Sequence, residues 1–367
     1  MTRVVIVQEL LAQYRVPFYE RLREQLNRAD VQLDLVHGRA SGQRAMRGDE
    51  AHLDWATTVR SIQLPVGRRR AAVWQPALKQ ALASDLTIVE HANRQLLNYP
   101  LLLTSKVARK PHVAFWGHGA NLQSSRPDSF EERFKAASAR WPDWWFAYTE
   151  GSAERVRRAG FPSDRVTVVQ NAIDTSDYAV NGIERSPRRC VYVGSLHEHK
   201  RLDFLLETAA LVAERVDGFE LLVVGDGPDR ARVEQTARQA RWLTYRGALF
   251  GKAKAEAVSS SSLTLMPGLV GLGVLDSFAS GSPMVTTRIP WHSPEFEYLE
   301  DGRNGLVLPG EASAADFAMA VADLLLDPSR LSALREGAIA SSRMFSVDEM
   351  ADRFTGGILN ALGSARG

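Results

Sequence analysis

The sequence is poor in cysteine and in long apolar runs. Its one cysteine among 367 residues, Cys190, lies in an apolar strand pattern, so we expect a buried, inert thiol and no internal disulfide. The first apolar run is broken by Gln8 and Glu9, and no stretch reaches the roughly 18 apolar residues of a membrane-spanning helix. These absences predict a cytosolic protein that is neither secreted nor integral to a membrane.

Several signature motifs are missing as well. The chain has no Walker A pattern, no C-x-x-C, no H-E-x-x-H and no G-x-S-x-G. The segment 223–229 contains G-x-G, but Arg230 stands where a third glycine would complete a dinucleotide fingerprint. Metal-ligating residues form no cluster along the sequence. We therefore expect no metal site, no nicotinamide and no other tightly bound cofactor.

The sequence does contain two blocks of short apolar runs that alternate with helical patterns. Continuous apolar strands are typical of parallel sheets covered on both faces. We therefore predict an α/β fold with two Rossmann-like, doubly wound domains, residues 1–180 and 181–345, facing a central cleft. The amphipathic pattern of residues 346–367 predicts a helix that crosses back to the first domain. The predicted strands lie at 4–7, 31–36, 86–90, 112–116, 144–148, 165–169, 190–194, 219–225, 242–247, 262–268, 283–287 and 305–310.

The net charge is only +2, but it is unevenly distributed. Residues 1–180 contain 25 Lys and Arg against 19 Asp and Glu, whereas the remainder contains 20 against 24. Basic residues with nearby aromatics are typical of a peripheral membrane face, so we hypothesise weak association with anionic membranes at their inner surface. A solvated arginine-rich surface and a buried WWFAY strand are the alternatives, and no nucleic-acid partner is expected. The residues behind the hypothesis are Arg68, Arg69, Arg70, Lys106, Arg109, Lys110, Trp141, Trp144 and Trp145.

The strongest local signal is the glycine-spaced segment 266–287. A strand ends at Met266, and the following loop opens a helix from about Gly271, so free backbone N–H groups and the positive helix end are available to an anion such as a diphosphate. Asp276 comes about one turn into this helix, where its carboxylate can accept ribose hydroxyls. A glycine-rich turn with an aspartate that only complements the helix dipole is the alternative.

Two further strand ends carry polar side chains. Lys200 and Arg201 lie next to a predicted helix N-terminus, where the dipole disfavours cations, so we expect a bound phosphate to balance them. His118 lies between Gly117 and Gly119 just past a strand, so its imidazole can project toward a ligand. A satisfied structural histidine and a solvent-facing arginine are the alternatives.

These motifs, taken in order, resemble the GT4 family of retaining glycosyltransferases over nearly the whole chain. The matching segments are YRVPF (14–18), WGHG (116–119), NAID (171–174), VGSLHEHKRLDFLLE (193–207), VVGDGP (223–228), RGAL (246–249), PGLVGLGVLDSFASGSPMV (267–285) and EDGRNGLVLPG (300–310). The resemblance implies transfer of a hexose-type sugar from a nucleotide-diphosphate donor, bound mainly by the C-terminal half. It also implies retention at the anomeric carbon and independence of metal, with which the absence of D-x-D agrees. The implied acceptor is a glycan, a lipid-linked molecule or a small molecule.

The same resemblance assigns roles to residues. Lys200 would bind the diphosphate, Asp276 the ribose, and the backbone of Ala248 and Leu249 the base, while His118 would lie over the transferred sugar. The leaving diphosphate would help to deprotonate the acceptor. The catalytic candidates are therefore His118, Lys200 and Arg201. The donor-binding candidates are Gly194, Ser195, Lys200, Gly225, Ala248, Leu249, Gly268, Leu269, Val270, Gly271, Leu272 and Asp276.

Three departures from the family pattern bear on this assignment. Ser195 stands where many members carry an arginine partner to the lysine, so Arg201 or an N-terminal arginine would have to substitute. Gly268 replaces the first glutamate of E-x7-E. The usual glycine-rich loop after the first strand is replaced by LLAQYRVPF. A catalytically silent nucleotide-sugar-binding relative and a non-hydrolysing nucleotide-sugar epimerase therefore stay as alternatives, although no acidic pair stands beside His118 for proton transfer.

Overall fold

The computed structural model describes residues 1–39, 50–66, 70–119, 130–179 and 183–364. It divides the chain into two compact units. The N-terminal unit contains residues 1–174 and 347–367, and the C-terminal unit contains residues 175–346. The chain therefore leaves the N-terminal unit once and returns to it. The domain boundary that the sequence suggested, at 180/181, lies outside the described residues.

Short apolar segments form the strands because their side chains are buried on both faces. In chain order the strands are β1 Thr2–Gln8, β2 Val31–His37, β3 Thr57–Thr58, β4 Ile62–Val66, β5 Arg70–Trp74, β6 Leu86–Glu90, β7 His112–Gly117, β8 Trp144–Ala147, β9 Val166–Val168, β10 Arg189–Val193, β11 Glu220–Val224, β12 Leu243–Tyr245, β13 Leu263–Met266, β14 Met284–Thr287 and β15 Gly305–Leu308.

Helices follow most of these strands. They are α1 Val16–Arg28, α2 Leu78–Leu82, α3 Asn98–Ala108, α4 Phe130–Ser138, α5 Glu150–Arg158, α6 Leu202–Ala213, α7 Arg230–Gln239, α8 Gly251–Ser259, α9 Gly273–Ser280, α10 Ala314–Leu326, α11 Pro328–Met344 and α12 Val347–Ser364. Helix α9 begins two residues later than the sequence indicated and ends at Ser280, because the next residue, Gly281, has a left-handed backbone (φ +64°).

Each unit is built on one main parallel sheet. Among the described residues, the N-terminal sheet has the strand order β3-β2-β1-β6-β7-β8-β9 and the C-terminal sheet has the order β12-β11-β10-β13-β14-β15. Every pairing in these two sheets is parallel. Both orders reverse direction once, which is the doubly wound arrangement. The predicted α/β fold is confirmed.

Strands β3, β4 and β5 of the N-terminal unit were not predicted. Strands β4 and β5 form an antiparallel hairpin, with Ile62 paired to Trp74 and Val66 to Arg70. Gln63 and Pro65 interrupt the apolar residues of β4, so the sequence shows no continuous apolar run there, and Ile62 and Leu64 are exposed (43% and 45%). No strand was therefore predicted between residues 36 and 86.

Helix α12 completes the core of the N-terminal unit. Met350, Phe354 and Ile358 recur one turn apart and are all fully buried. Phe354 packs edge-on against Phe18 of α1, with ring centroids 5.3 Å apart. The predicted amphipathic face is therefore the face that α12 buries.

Other sequence expectations find their outcome here. Cys190 is fully buried, and burial raises the pKa of its thiol well above the ordinary value. No helix in the described parts of the chain is long and apolar enough to cross a membrane. Trp144 and Trp145 lie in the core (5% and 0% exposed), so their place in the hypothesised membrane face was wrong, because strand β8 buries both of its faces.

Candidate functional site

The C-terminal sheet reverses direction between β10 and β13, which are hydrogen-bonded neighbours. In open α/β sheets, ligands bind beyond the carboxyl ends of the strands at such a switch point. The chain leaves β10 at Gly194 and leaves β13 at Pro267. The two segments singled out from the sequence therefore begin side by side at this edge of the sheet.

Lys200 lies at this edge, in a 3₁₀ turn formed by Glu198–Lys200. Its side chain is buried (8% exposed), and its Nζ donates a hydrogen bond of 2.5 Å to the carbonyl oxygen of Leu269. Burial lowers the pKa of the Lys200 ammonium to about 8. A desolvated cation is thus held against the loop that leads into α9.

That loop packs directly on the turn that carries Lys200. The Leu269 amide donates to the His199 carbonyl at 2.9 Å. A Cβ atom at Gly268 would lie 2.4 Å from the Lys200 carbonyl carbon, closer than any side chain tolerates. Glycine at 268 is therefore required by this close approach, and the glutamate of the family pattern would not fit.

The amides before α9 divide into two groups. Leu269 and Val270 are already paired, because the Val270 N–H donates to Nδ1 of His292 at 3.0 Å. Within the described residues, the amides of Gly271 and Leu272 have no protein acceptor, as is usual at a helix N-terminus. Of the four backbone N–H groups at residues 269–272, only those of Gly271 and Leu272 are therefore left to bind an anion.

His292 was not singled out from the sequence. Since Nδ1 accepts from Val270, the ring proton is on Nε2, which lies 2.7 Å from the Thr287 carbonyl oxygen and donates to it. The imidazole also stacks on Phe296, with centroids 4.0 Å apart. Burial lowers its pKa to about 4, so the ring is neutral at physiological pH. His292 thus ties the α9 loop to the end of β14.

Asp276 lies in the first turn of α9 and is buried (7% exposed). Its Oδ1 accepts from Lys254 Nζ and from the Tyr178 hydroxyl, both at 2.7 Å. Burial, followed by the charge of Asp276, raises the pKa of Tyr178, so the phenol stays protonated and donates. The predicted ribose carboxylate is therefore already oriented by two donors, neither of which the sequence revealed.

Arg201 is held away from Lys200. Its backbone is left-handed (φ +53°), its Nη1 donates to Thr287 Oγ1 at 3.1 Å, and its guanidinium lies 4.1 Å from the Phe204 ring centroid. These contacts position the guanidinium but do not neutralise its charge, so the predicted catalytic role of Arg201 stays a prediction. Ser195 is exposed, and its carbonyl accepts from the Tyr192 hydroxyl at 2.9 Å.

The remaining donor candidates also lie in the C-terminal unit. A Cβ at Gly225 would lie 1.8 Å from the Gly194 carbonyl oxygen, so these two strand ends touch through their backbones. Ala248 is exposed, whereas Leu249 packs on the small core cluster that includes Val191. Their predicted contact with the base stays a prediction.

His118 belongs to the N-terminal unit. Its ring lies 4.4 Å from that of Tyr148, and its Nδ1 is buried without a partner in the described part of the chain. Burial, together with nearby Lys135, Arg155 and Arg15, lowers the pKa of His118 to about 3. The neutral imidazole is unlike a satisfied structural histidine, and its predicted place over the transferred sugar stays a prediction.

Comparison with known families accounts for both units. A family model described as Glycosyltransferase Family 4 matches residues 16–177, and one described as Glycosyl transferases group 1 matches residues 187–327. The chain belongs to the family 4 glycosyltransferases. The family and the enzyme class expected from the sequence are both confirmed.

Individual relatives of this glycosyltransferase are distant. It is 24% identical to the alpha-D-kanosaminyltransferase of Streptomyces kanamyceticus over 79% of this chain and 74% of that one. It is 28% identical to the D-inositol 3-phosphate glycosyltransferase of Acidothermus cellulolyticus, over 56% of this chain and 50% of the relative. The match thus spans about half the length of the latter relative.

The fold of this glycosyltransferase also matches solved structures. Anabaena Alr3699/HepE in complex with UDP superimposes with a TM-score of 0.67 at 16% identity, covering 98% of this chain and 100% of that one. At this identity the likeness shows the fold alone. Within the described residues, no group of three or more His, Cys, Asp or Glu side chains is arranged to hold a metal ion.

Sequence reasoning about this glycosyltransferase missed Lys254, Tyr178 and His292. Tyr178 lies far from its partner Asp276 in the chain, and Lys254 sits on a different helix, so no spacing links them. For His292 one signal was available. A single histidine that follows a strand next to a glycine-rich loop is a candidate to form a hydrogen bond with that loop.

Proposed function

We propose that this glycosyltransferase transfers a hexose-type sugar from a nucleoside-diphosphate sugar with retention at the anomeric carbon and without a metal ion. The observation that carries the proposal is the buried Lys200 ammonium, which donates to Leu269 in the same loop whose Gly271 and Leu272 amides have no acceptor among the described residues. A cation and helix amides at one sheet edge form a diphosphate site that supplies the positive charge otherwise provided by a metal.

In the proposed reaction, the bond between the anomeric carbon and the phosphate oxygen breaks while a bond from that carbon to the acceptor oxygen forms. The acceptor hydroxyl proton passes to the departing diphosphate. Lys200 and the two open amides stabilise the charge that develops on that diphosphate. Because stabilisation of this charge is worth most in the transition state, it accelerates transfer rather than only tightening binding.

Asp276 is proposed to bind the ribose. Its Oδ1 is occupied by Lys254 and Tyr178, so the hydroxyl contacts fall to Oδ2. Lys254 and Tyr178 therefore hold the Asp276 carboxylate in place before the donor binds. Less side-chain entropy is then lost on binding.

A thermal-shift screen with UDP, GDP, ADP and TDP tests the donor site, because a ligand that binds only the folded state raises its melting temperature. UDP is the first choice, since the HepE structure contains UDP. The proposal is supported if one nucleotide raises the melting temperature of the wild type and of Lys252→Met but not that of Lys200→Met. Lys252 is the matched control because it is exposed in the first turn of α8. No stabilisation by any nucleotide would contradict it.

Two other functions share this fold. A silent nucleotide-sugar-binding relative would bind a nucleotide but transfer no sugar, and an epimerase would interconvert two nucleotide sugars without an acceptor. Incubation of the stabilising nucleotide's sugar donor with acceptor mixtures, read as released nucleoside diphosphate and as new sugar nucleotide, separates all three outcomes. Acceptor-dependent release of the diphosphate alone is the expected result.

For the acceptor side, we propose weak membrane association through the N-terminal unit. Leu103 and Val107 lie one turn apart on α3 and are 67% and 78% exposed, with Arg109 at the end of the helix. Lys106 and Lys110 are in exposed ion pairs with Asp143 and Asp85. Arg68 and Arg69 lie outside the described residues, so the apolar pair and Arg109 carry the proposal.

Co-sedimentation with anionic vesicles at low and high salt tests this surface, since salt screens attraction between exposed charges and lipid. We expect binding at low salt that falls in a Leu103→Ser, Val107→Ser double variant. The same two changes at Met319 and Ile339, exposed apolar residues of the C-terminal unit, are the control. Absence of binding at low salt would favour a soluble acceptor.

A further inference from the structure

Arg15 is a buried cation that has no anionic partner in the described part of the chain. The residue is only 7% exposed, in the 3₁₀ turn Gln13–Arg15 at the start of α1. Its Nη1 lies 3.5 Å from the sulfur of Met350, a weak acceptor. Among the described residues, no carboxylate lies within ion-pair distance of its guanidinium. A buried guanidinium with five donors is normally paired, so this site is incompletely satisfied.

Aromatic rings surround the guanidinium. Its carbon lies 5.0 Å from the Trp116 ring centroid, 5.1 Å from that of Tyr14 and 5.7 Å from that of Tyr148. Cation–π attraction offsets part of the desolvation cost, but ring faces accept no directed hydrogen bonds along the planar fork. Tyr14 also makes a side-chain hydrogen bond with the guanidinium, and the ring faces of Trp116 and Tyr148 accept none of the remaining N–H groups.

Further polar groups converge on the same place. His118 shares the Tyr148 ring with Arg15, at 4.4 Å, and its buried Nδ1 has no partner in the described residues. Arg155 donates from Nε to the His118 carbonyl at 3.3 Å, and the charges of Lys135, Arg155 and Arg15 all act on the His118 ring. This part of the N-terminal unit therefore concentrates positive charge around an unsatisfied imidazole.

We propose that Arg15 and His118, beside Arg155 and Lys135, form a binding site for a phosphate group of the acceptor. A phosphate carries the charge that the Arg15 guanidinium lacks among the described residues, and it offers the oxygen geometry that matches a guanidinium fork. The proposal rests on the proposed function only in assigning the phosphate to the acceptor. Arg15 and His118 belong to the N-terminal unit, whereas Lys200 belongs to the C-terminal unit.

Phosphate titrations of the full-length chain test the site by thermal shift at low ionic strength, with inorganic phosphate and glycerol 3-phosphate as probes. The variants are Arg15→Met, which keeps the length and removes the charge, and Arg15→Lys, which keeps the charge and removes the fork. Arg23→Met is the control, since Arg23 on the same helix α1 stacks 4.6 Å from the Trp55 centroid in a less buried position. Lys200→Met removes phosphate binding at the donor site.

We expect Arg15→Met to raise the Kd for both probes at least tenfold. The variant should melt no lower than the wild type, because replacing an unpaired buried charge by an apolar side chain breaks no ion pair. Arg23→Met and Lys200→Met should keep this phosphate response. A wild type without any response would overturn the proposal. So would an Arg15→Met variant that melts far lower than wild type while keeping the response, because Arg15 would then be structural.

The same variants show whether Arg15 binds the donor diphosphate, a lipid headgroup or a soluble phosphate ester. A UDP affinity that falls tenfold in Arg15→Met would assign the anion to the donor and overturn the proposal, whereas failure of UDP to bind any variant contradicts only the proposed function. Arg15-dependent sedimentation with phosphatidylglycerol vesicles identifies a lipid headgroup as the source. A glycerol 3-phosphate response without that sedimentation identifies a soluble phosphate ester.

Discussion

Gly268 lies against the backbone of Lys200, so that a Cβ at residue 268 would come within 2.4 Å of the Lys200 carbonyl carbon and 2.5 Å of the His199 carbonyl oxygen. Two loops from neighbouring strands are thus in backbone contact at the switch point. The absence of the family glutamate at this position is a consequence of that contact, because the backbone of His199 and Lys200 occupies the space that a side chain would need.

Gly268→Ala is expected to displace the loop from Lys200 and to weaken nucleotide binding by at least tenfold, since overpacking against backbone costs about 1–3 kcal/mol. Gly271→Ala is the matched control, because its Cβ would meet only the Ser293 hydroxyl at an ordinary 3.8 Å and its amide is kept. Titration calorimetry with the stabilising nucleotide measures both. Equal affinities in the two variants would show that the contact does not shape the site.

Lys200→Met is expected to lower the turnover number by about 100-fold or more, because a cation on the leaving diphosphate is worth about 3 kcal/mol in the transition state. The melting temperature should change little or rise, since a desolvated ammonium is removed. Initial rates at saturating donor concentration measure the turnover numbers of the variant and of the wild type. A near-normal rate would transfer the role to another cation, and Arg201→Met would then be the next variant to measure.

Nucleotide binding is expected to weaken with rising pH. The pKa of Lys200 in the free protein is about 8, below its ordinary 10.5, so above pH 8 the affinity should fall by about tenfold per pH unit as the ammonium loses its proton. Stability shows the opposite sign, because the unfolded chain binds more protons between pH 8 and 10.5 and folding is favoured as pH rises there. Lys200→Met should abolish both dependences, and a pH-independent wild type would contradict the assignment.

Two substitutions of His292 can test its hydrogen bonds to Val270 and to Thr287 one at a time. His292→Asn keeps an acceptor near the position of Nδ1 for the Val270 amide, whereas His292→Gln keeps a donor near the position of Nε2 for Thr287. If the bond to Val270 positions the donor loop, Asn should retain a near-normal KM for the donor while Gln and Ala raise it by about tenfold. Similar KM values in all three variants, with lower melting temperatures, would show a purely structural histidine.

Activity is expected to survive EDTA, since Lys200 and helix amides supply the positive charge at the diphosphate. Transfer rates before and after chelation, with Mg²⁺ and Mn²⁺ added back, measure this. Loss of activity on chelation that either ion restores would contradict the proposed mechanism.

The sequence predicts the fold well because parallel strands and amphipathic helices depend on local patterns. The runs at Val4 and Leu263 are continuous and apolar, and both form strands at the predicted places. The β4–β5 hairpin was not predicted because Gln63 and Pro65 interrupt the apolar run of β4, whose Ile62 and Leu64 are exposed. Local periodicity therefore identifies buried sheets and misses an exposed hairpin.

The site is predicted less completely, for a different reason. Lys200 and Asp276 follow from strand ends and helix starts, which are local features. The pairing of Asp276 with Tyr178 joins residues 98 positions apart, and the contact of Arg15 with Met350 spans 335. Such partners are set by tertiary packing, and nothing in the spacing of a single sequence reveals them.

The return of α12 to the N-terminal unit also constrains how the chain folds during synthesis. Phe354 packs on Phe18 and Trp116, yet the ribosome makes it only after the whole of residues 175–346. Domains usually fold in the order of their synthesis, but this first unit lacks part of its core until the second has emerged. The C-terminal unit is therefore free to fold first, and the N-terminal unit must keep Phe18 and Trp116 uncovered, within reach of chaperones, until α12 closes over them.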